Sequence, residues 1–257
     1  MISQNEASAR QFGPQAQAYV ASTVHSVGPD LERLEAITRD MPAARVLDLG
    51  CGGGHAAYRI APHVREVVAC DLSGEMLAAV AAEAARRGLT NIAVEQAAAE
   101  RLPFQDDAFD FVACRLTAHH WGDLDAGLRE ACRVLRPGGK AVVIDVVAPG
   151  EPAADTHLQA IELLRDTSHV RDYRMDEWMG ALERAGLRIL GVAKHRLPME
   201  FASWVARMKT PEAHVAAIRA LQSGATAGVR EVLDIAEDGS FRIEVAMFEL
   251  EPRRSQA

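Results

Sequence analysis

The sequence predicts an α/β fold, a mostly parallel sheet with helices on both faces. Short apolar, β-branched runs recur along the chain and alternate with stretches whose apolar residues repeat at helical spacing. The runs are nearly continuous rather than alternating, as expected of strands buried on both faces of a parallel sheet. The first run also breaks into a glycine turn, Gly50-Cys51-Gly52-Gly53-Gly54, before helix-compatible residues resume, which joins a buried strand directly to a helix.

Length and composition bound this reading. The 257 residues suffice for one α/β domain with a full core, and 49% hydrophobic with 25% charged residues is ordinary for a soluble globular protein. No apolar run approaches the roughly 18 residues needed to span a bilayer. The opening MISQNEASARQFGPQ has no apolar signal core, so no membrane span and a cytoplasmic location are expected. A net charge of -8 without a Lys/Arg run disfavours nucleic acid, whose phosphates need a basic face. Cys51, Cys70, Cys114 and Cys132 form no CxxC pair and lie in or beside apolar elements, so they read as small buried hydrophobes.

Residues 1–15 are polar and read as frayed. Helical patterns follow over 16–27 and 30–39, the second with Leu31, Leu34 and Ile37 on one face and stopped at Met41-Pro42. The first strand is 45–49, followed by a helix over 54–61. A second strand, EVVAC over 66–70, runs into Asp71. Ser73 caps the next helix, which ends at Arg87 with Gly88 as its stop. Strands are predicted at 92–96 and at 109–115, FDFVACR. An amphipathic helix over 124–135 ends at Pro137-Gly138-Gly139, and KAVVIDVVA over 140–148 is a fifth strand. Beyond Pro149 come helical stretches over 153–166 and 176–185, a sixth strand over 187–193, and three short helices within 201–236. Thr210-Pro211 opens one of these, as a cap followed by proline at the first helical position. FRIEVAMFEL over 241–250 is a seventh strand, and the tail EPRRSQA reads as disordered. The whole is one domain with a helical insertion before its last strand.

By itself the glycine turn describes a nucleotide-type ligand lying against a strand–helix junction. A helix start offers unpaired N–H groups and partial positive charge to such a ligand. A dinucleotide turn reads G-x-G-x-x-G, with an acidic residue about 20 positions further on. Counting from Gly50, the third glycine falls on His55, so the pattern fails, although Asp71 has a compatible spacing. Asp48, two residues before the first glycine, is also unusual for a dinucleotide site.

The run V-L-D-L-G-C-G-G-G resembles the first motif of class I S-adenosylmethionine (SAM) dependent methyltransferases. Asp71, closing EVVACD, is similar to the acidic residue after their second strand. AAAERLPFQDDAFDFVACR at 97–115 and EACRVLRPGGKAVVID at 130–145 resemble two further segments of the small-molecule group related to ubiquinone/menaquinone C-methyltransferases (methyltransferase type 11). Together the four motifs cover about 44–147 in order. The resemblance implies a Rossmann-like seven-stranded sheet whose last strand is antiparallel. It implies N-terminal cap helices over 1–43, a SAM-binding core over 44–148, and substrate-lid helices with the last two strands over 149–257. It implies SAM as cofactor and a small-molecule methyl acceptor, with the enzyme a monomer or homodimer.

The same resemblance assigns the cofactor residues. Asp48, Gly50, Cys51 and Gly52 lie against the methionyl portion, and Asp71 accepts hydrogen bonds from both ribose hydroxyls. Leu72 and Met76 wall the adenine and ribose or are plain core. Ala98, Ala99 and Glu100 sit where the family holds the adenine edge. Many relatives carry Asp at the position of Ala98, so here Glu100 or a backbone carbonyl must take the amino group. Arg115 either hydrogen-bonds near the methionyl end or pairs with an acidic helix residue, and Tyr19 either closes over SAM or packs in the core.

The SAM methyl is already activated, so the enzyme needs to align a nucleophile, exclude water and, where required, remove a proton. Nucleic-acid amino methyltransferases often carry N/D-P-P-Y/F after the fourth strand, where this chain has Leu116-Thr117-Ala118-His119-His120-Trp121. His119 and His120 stand at the carboxyl end of the sheet, and an imidazole near pKa 6.5 suits a general base. The alternative is that one of them only packs against the cofactor or caps the next helix. In the insertions, Trp178 is core with Leu182, and Trp204 and Met208 either line an apolar acceptor pocket or form a helix-packing stripe. His157 and His169 with Asp155 and Asp166 make no recognisable metal set. Two rival functions remain at this stage, a non-catalytic SAM-binding protein and an NAD(P)-linked oxidoreductase.

Overall fold

The computed structural model describes residues 2–22 and 26–253. Its sheet contains β1 (Arg45–Leu49), β2 (Glu66–Asp71), β3 (Ile92–Gln96), β4 (Phe109–Arg115) and β5 (Leu135–Ala148), followed by β6 (Tyr173–Arg174), β7 (Leu187–Met199) and β8 (Phe241–Pro252). The order is β3-β2-β1-β4-β5-β8-β7, with the short β6 pairing with the end of β5. Strands β1 to β5 are parallel, while β8 runs antiparallel to both β5 and β7. This is the Rossmann-like arrangement expected, with one two-residue strand added.

The period of two in each strand divides the core between the faces. Val46, Val67, Phe111 and Ile144 point to one side, where they meet α3 (Pro29–Thr38), α4 (His55–Ile60) and α5 (Gly74–Arg86). Leu47, Val68, Val112 and Val143 point to the other, against α6 (Leu124–Arg133) and α8 (Met175–Arg184). The insertion helices α7 (Pro152–Arg165), α9 (Phe201–Arg207), α10 (Glu212–Ser223) and α11 (Ala227–Leu233) join the first face through Leu158, Trp204, Ile218 and Leu233. Trp178 is fully buried beside Leu182, its indole N–H donating to the Val146 carbonyl at 3.2 Å. All four cysteines are free, three of them buried. Among the described residues no helix is long and apolar enough to cross a membrane.

Several expected boundaries move. Residues 4–12 are not frayed but form helix α1 (Gln4–Phe12), started by a reciprocal capping box between Ser3 and Glu6. Gln4 Nε2 reaches the Ser168 carbonyl at 2.7 Å, which docks this helix over the carboxyl edge of the sheet. The helix expected over 16–27 is α2 (Ala16–Val20), and residues 23–25 lie outside the described residues. Pro137-Gly138-Gly139 is absorbed into β5, with Gly138 at φ +80° and an irregular register against β4. The sixth strand continues to Met199 because β7 pairs with β8 along its length, apart from a bulge at Leu190. Glu251 and Pro252 belong to β8 and Arg253 pairs with Glu183, so residues 251–253 are ordered, contrary to expectation; residues 254–257 lie outside the described residues.

Candidate active site

The carboxyl ends of β1, β2, β4 and β5 open into one cavity roofed by α1, α2 and the insertion helices. At one end lies the glycine turn. Gly50 has φ +68°, and a Cβ there would stand 2.2 Å from Thr117 Oγ1, so no larger residue fits. A Cβ on Gly53 would meet the Tyr19 carbonyl group at 2.7 Å, whereas one on Gly52 would meet nothing within 4 Å. The backbone is therefore packed under α2 at Gly53 and bare toward the cavity at Gly52.

Two carboxylates brace this turn. Asp71 Oδ2 accepts from the Gly52 N–H at 2.9 Å and Oδ1 from the Ser73 N–H at 3.0 Å. Burial pushes its carboxyl above the usual aspartate range, against the pull of the Ser73 and Gly52 amides. Asp48 is pushed up to about 7 by burial, its Oδ2 accepting from the Ala57 N–H at 2.9 Å in the first turn of α4. His55, which broke the dinucleotide spacing, has its own task. A carbonyl can only accept, so its Nε2 carries the hydrogen and donates to the Tyr19 carbonyl at 2.8 Å, tying α2 over the turn.

At the other end His119 Nδ1 donates to Asp145 Oδ1 at 2.6 Å, and Asp145 Oδ2 accepts from the Thr117 and Ala118 amides at 3.2 and 2.8 Å. Burial alone would lower the His119 pKa, but the charge and hydrogen bond of Asp145 outweigh it and raise the pKa to about 9. Burial instead drives His120 well below 6.5, with the charges of His119 and His169 adding to the effect. His120 packs edge-on against Phe12 with ring centroids 4.8 Å apart. Neither imidazole keeps the near-neutral titration expected of a general base. The two imidazoles are shifted in opposite directions, His119 upward by the charge and hydrogen bond of Asp145 and His120 downward by burial.

Tyr19, Asp48, Gly50, Cys51, Gly52, Asp71, Leu72, Met76, Ala99, Arg115, His119 and His120 all line this cavity. Met76 is both wall and core, packed with Ala16 and Ala79. Arg115 pairs with Asp30 of α3 at 2.5 Å, the second of its two expected roles, while still lining the cavity. Ala98 and Glu100 do not line it. Ala98 forms a bridge with Arg101, and Glu100 Oε1 is drawn to the Gly122 N–H at 2.9 Å, just ahead of α6. Ala97 and Ala99 face the cavity in their place.

Phe12, Glu162, Arg165, Asp172, Leu197, Met199, Arg207 and Ile243, which the sequence did not point to, are also among the lining residues. Trp204 also lines the cavity, while Met208 accepts the Tyr19 hydroxyl at 3.1 Å. One signal was legible: Asp145 is the lone polar residue of the run AVVIDVVA over 141–148, and it is fully buried.

A sheet of this order with a glycine turn and an acidic residue ending its second strand is methyltransferase architecture, and known proteins agree. A methyltransferase domain family model matches residues 47–143. The protein YafE of Escherichia coli is 48% identical over 198 residues, covering 77% of this chain and 96% of YafE. The uncharacterized methyltransferase YcgJ of Bacillus subtilis is 35% identical over 200 residues, covering 78% of this chain and 79% of that protein. The crystal structure of YcgJ superposes with a TM-score of 0.84, at 31% identity, over 88% of this chain and 99% of that one. A ubiquinone/menaquinone biosynthesis C-methyltransferase of Shewanella oneidensis is 37% identical over 112 residues, covering 42% of this chain and 45% of its own. The chain belongs to the SAM-dependent methyltransferases, and the oxidoreductase and purely binding alternatives fall away.

Proposed function

We propose that this enzyme transfers the methyl group of SAM to a small organic molecule bound between the strand ends and the insertion helices. One observation carries the reading. A single cavity is lined at one end by the glycine turn and Asp71 and at the other by His119, Glu162, Asp172 and Trp204. The residues fit the cofactor: Gly52 leaves bare backbone toward the cavity, and each Asp71 oxygen has a lone pair beyond the one its backbone amide uses.

When bound, SAM supplies a methyl group activated by its sulfonium. Gly50, Cys51 and Gly52 would bear on its methionyl portion, with Asp48 bracing the turn from beneath. Asp71 would take the ribose hydroxyls, and Leu72, Met76 and Ala99 would wall the adenosyl group. Tyr19 and α2 cover the turn and exclude water from it. His119, held as an imidazolium by Asp145, and the neutral His120 would orient the acceptor. Leu197, Met199, Trp204 and Ile243 wall its far side, which favours a small ligand over a folded chain or a duplex.

Calorimetry with SAM, S-adenosylhomocysteine (SAH) and NADH tests the cofactor end. Both adenosyl ligands should bind with 1:1 stoichiometry and NADH should not. NADH binding with comparable affinity would sink the assignment.

A further inference from the structure

The acceptor end holds two carboxylates, one of which has an oxygen that the chain leaves without a partner. Asp172 is 1% exposed and Glu162 is 9% exposed, and both line the cavity. Asp172 Oδ2 is buried with no hydrogen-bond partner. The cation closest to Glu162 is Arg165, at 3.6 Å, beyond good hydrogen-bonding reach. Buried carboxylate oxygens are costly unless a donor meets them.

Asp172 is also held in place. Gln159 Nε2 donates to its backbone carbonyl at 2.8 Å while Gln159 Oε1 accepts its N–H at 3.1 Å. The next residue, Tyr173, pairs with Val147 of β5. The fold thus places a carboxylate with an unpartnered oxygen on a fixed stretch of backbone in the cavity lining, which also includes the apolar Leu197, Met199 and Ile243.

We propose that the methyl acceptor is a small primary or secondary amine with an apolar body, its nitrogen held by Asp172 and Glu162. The proposal rests on the methyltransferase reading above. The charged groups around the two carboxylates are His119, Asp145, Asp155, Asp166, Arg165 and Arg207. Burial is the largest influence on both carboxyls and raises both, and a cationic nitrogen placed beside them offsets that cost of burial. The ammonium gives one proton to the Asp172 carboxylate. The freed nitrogen lone pair then forms the N–C bond as the methyl C–S bond breaks, and that electron pair stays on sulfur. The products are an N-methylammonium and a neutral thioether. An anionic acceptor is the rival, because Arg207 Nε is also buried and unpartnered. Arg165 counts less toward it, since its Nε already donates to the Trp204 carbonyl at 3.1 Å.

Three ligands of one shape separate the cases: benzylamine, benzyl alcohol and phenylacetate, titrated into SAH-saturated enzyme. Benzylamine should bind about tenfold tighter than either, the scale of one hydrogen bond to a charged group. Asp172→Asn and Glu162→Gln should each reduce that preference to about twofold while SAH affinity is unchanged. Benzylamine should also acquire labelled methyl from SAM. Equal binding of amine and alcohol, tighter binding of phenylacetate, or a preference that persists in both variants overturns the amine assignment with the cofactor reading intact. Failure of SAH to bind overturns both.

Discussion

The two ends of the cavity are built differently. The cofactor end comes mainly from one stretch of chain, residues 48–76, with Tyr19, Ala97 and Ala99 added, and its two carboxylates meet backbone amides of that stretch. Asp71 meets two backbone amides and Asp48 a third. The acceptor end draws on residues near 119, 145, 162, 172, 204 and 243, and it retains unpartnered buried atoms at Asp172 and Arg207. The difference teaches what each end is for. A site that receives one constant ligand can be held by backbone geometry. A site that selects among ligands holds polar side chains whose partner arrives with the ligand.

The largest expected effect falls on the cofactor end. Asp71→Ala removes the brace of the turn together with the ribose acceptor, and SAH affinity should fall by about 2–4 kcal/mol by calorimetry. An unchanged affinity would dissolve the distinction between the ends. At the acceptor end His119→Gln sharpens the comparison through pH. The folded-state pKa of His119 is raised from 6.5 to about 9. Its contribution is therefore fully present below pH 6.5 and lost as pH rises through 9, on the order of 2–3 kcal/mol. The variant should melt about 5–10 °C below the wild type at pH 6.5, with the gap closing above pH 9. A gap independent of pH would show that Asp145 does not hold an imidazolium. The smallest effect belongs to the tie between α2 and the turn. His55→Ala deletes one hydrogen bond, about 1 kcal/mol, and hydrogen exchange over residues 16–20 should quicken while that over β1 does not.

Much of the cofactor end was legible in the sequence because it is local. Strand, glycine turn and helix follow one another within a few residues, so their order alone brings Asp48, Gly50 and Gly52 together. Even α1 left a local trace, since Ser3 and Glu6 have capping-box spacing; the polar composition around them obscured it. Glu100 was misjudged because the amides that attract it, at Gly122 and Asp123, lie 22 and 23 residues further on. His119 and His120 were found, but their proton affinities were not. Those follow from burial and from a carboxylate on another strand.

The cofactor was implied by the resemblance of four motifs to a known family; the sequence by itself determined the α/β class, the strand order along the chain and the glycine turn. Each of these is written in short-range periodicity and spacing, which packing leaves in place. Tertiary structure alone decided the acceptor end. The parallel register pairs Arg115 with Ile144, which sets the chain leaving β4 beside Asp145 and delivers His119 to its carboxylate. The pairing of Tyr173 with Val147 then aims Asp172 into the same space. Apolar patterning states which face of an element is buried, but which carboxylate meets a cavity instead of a partner depends on how distant elements dock.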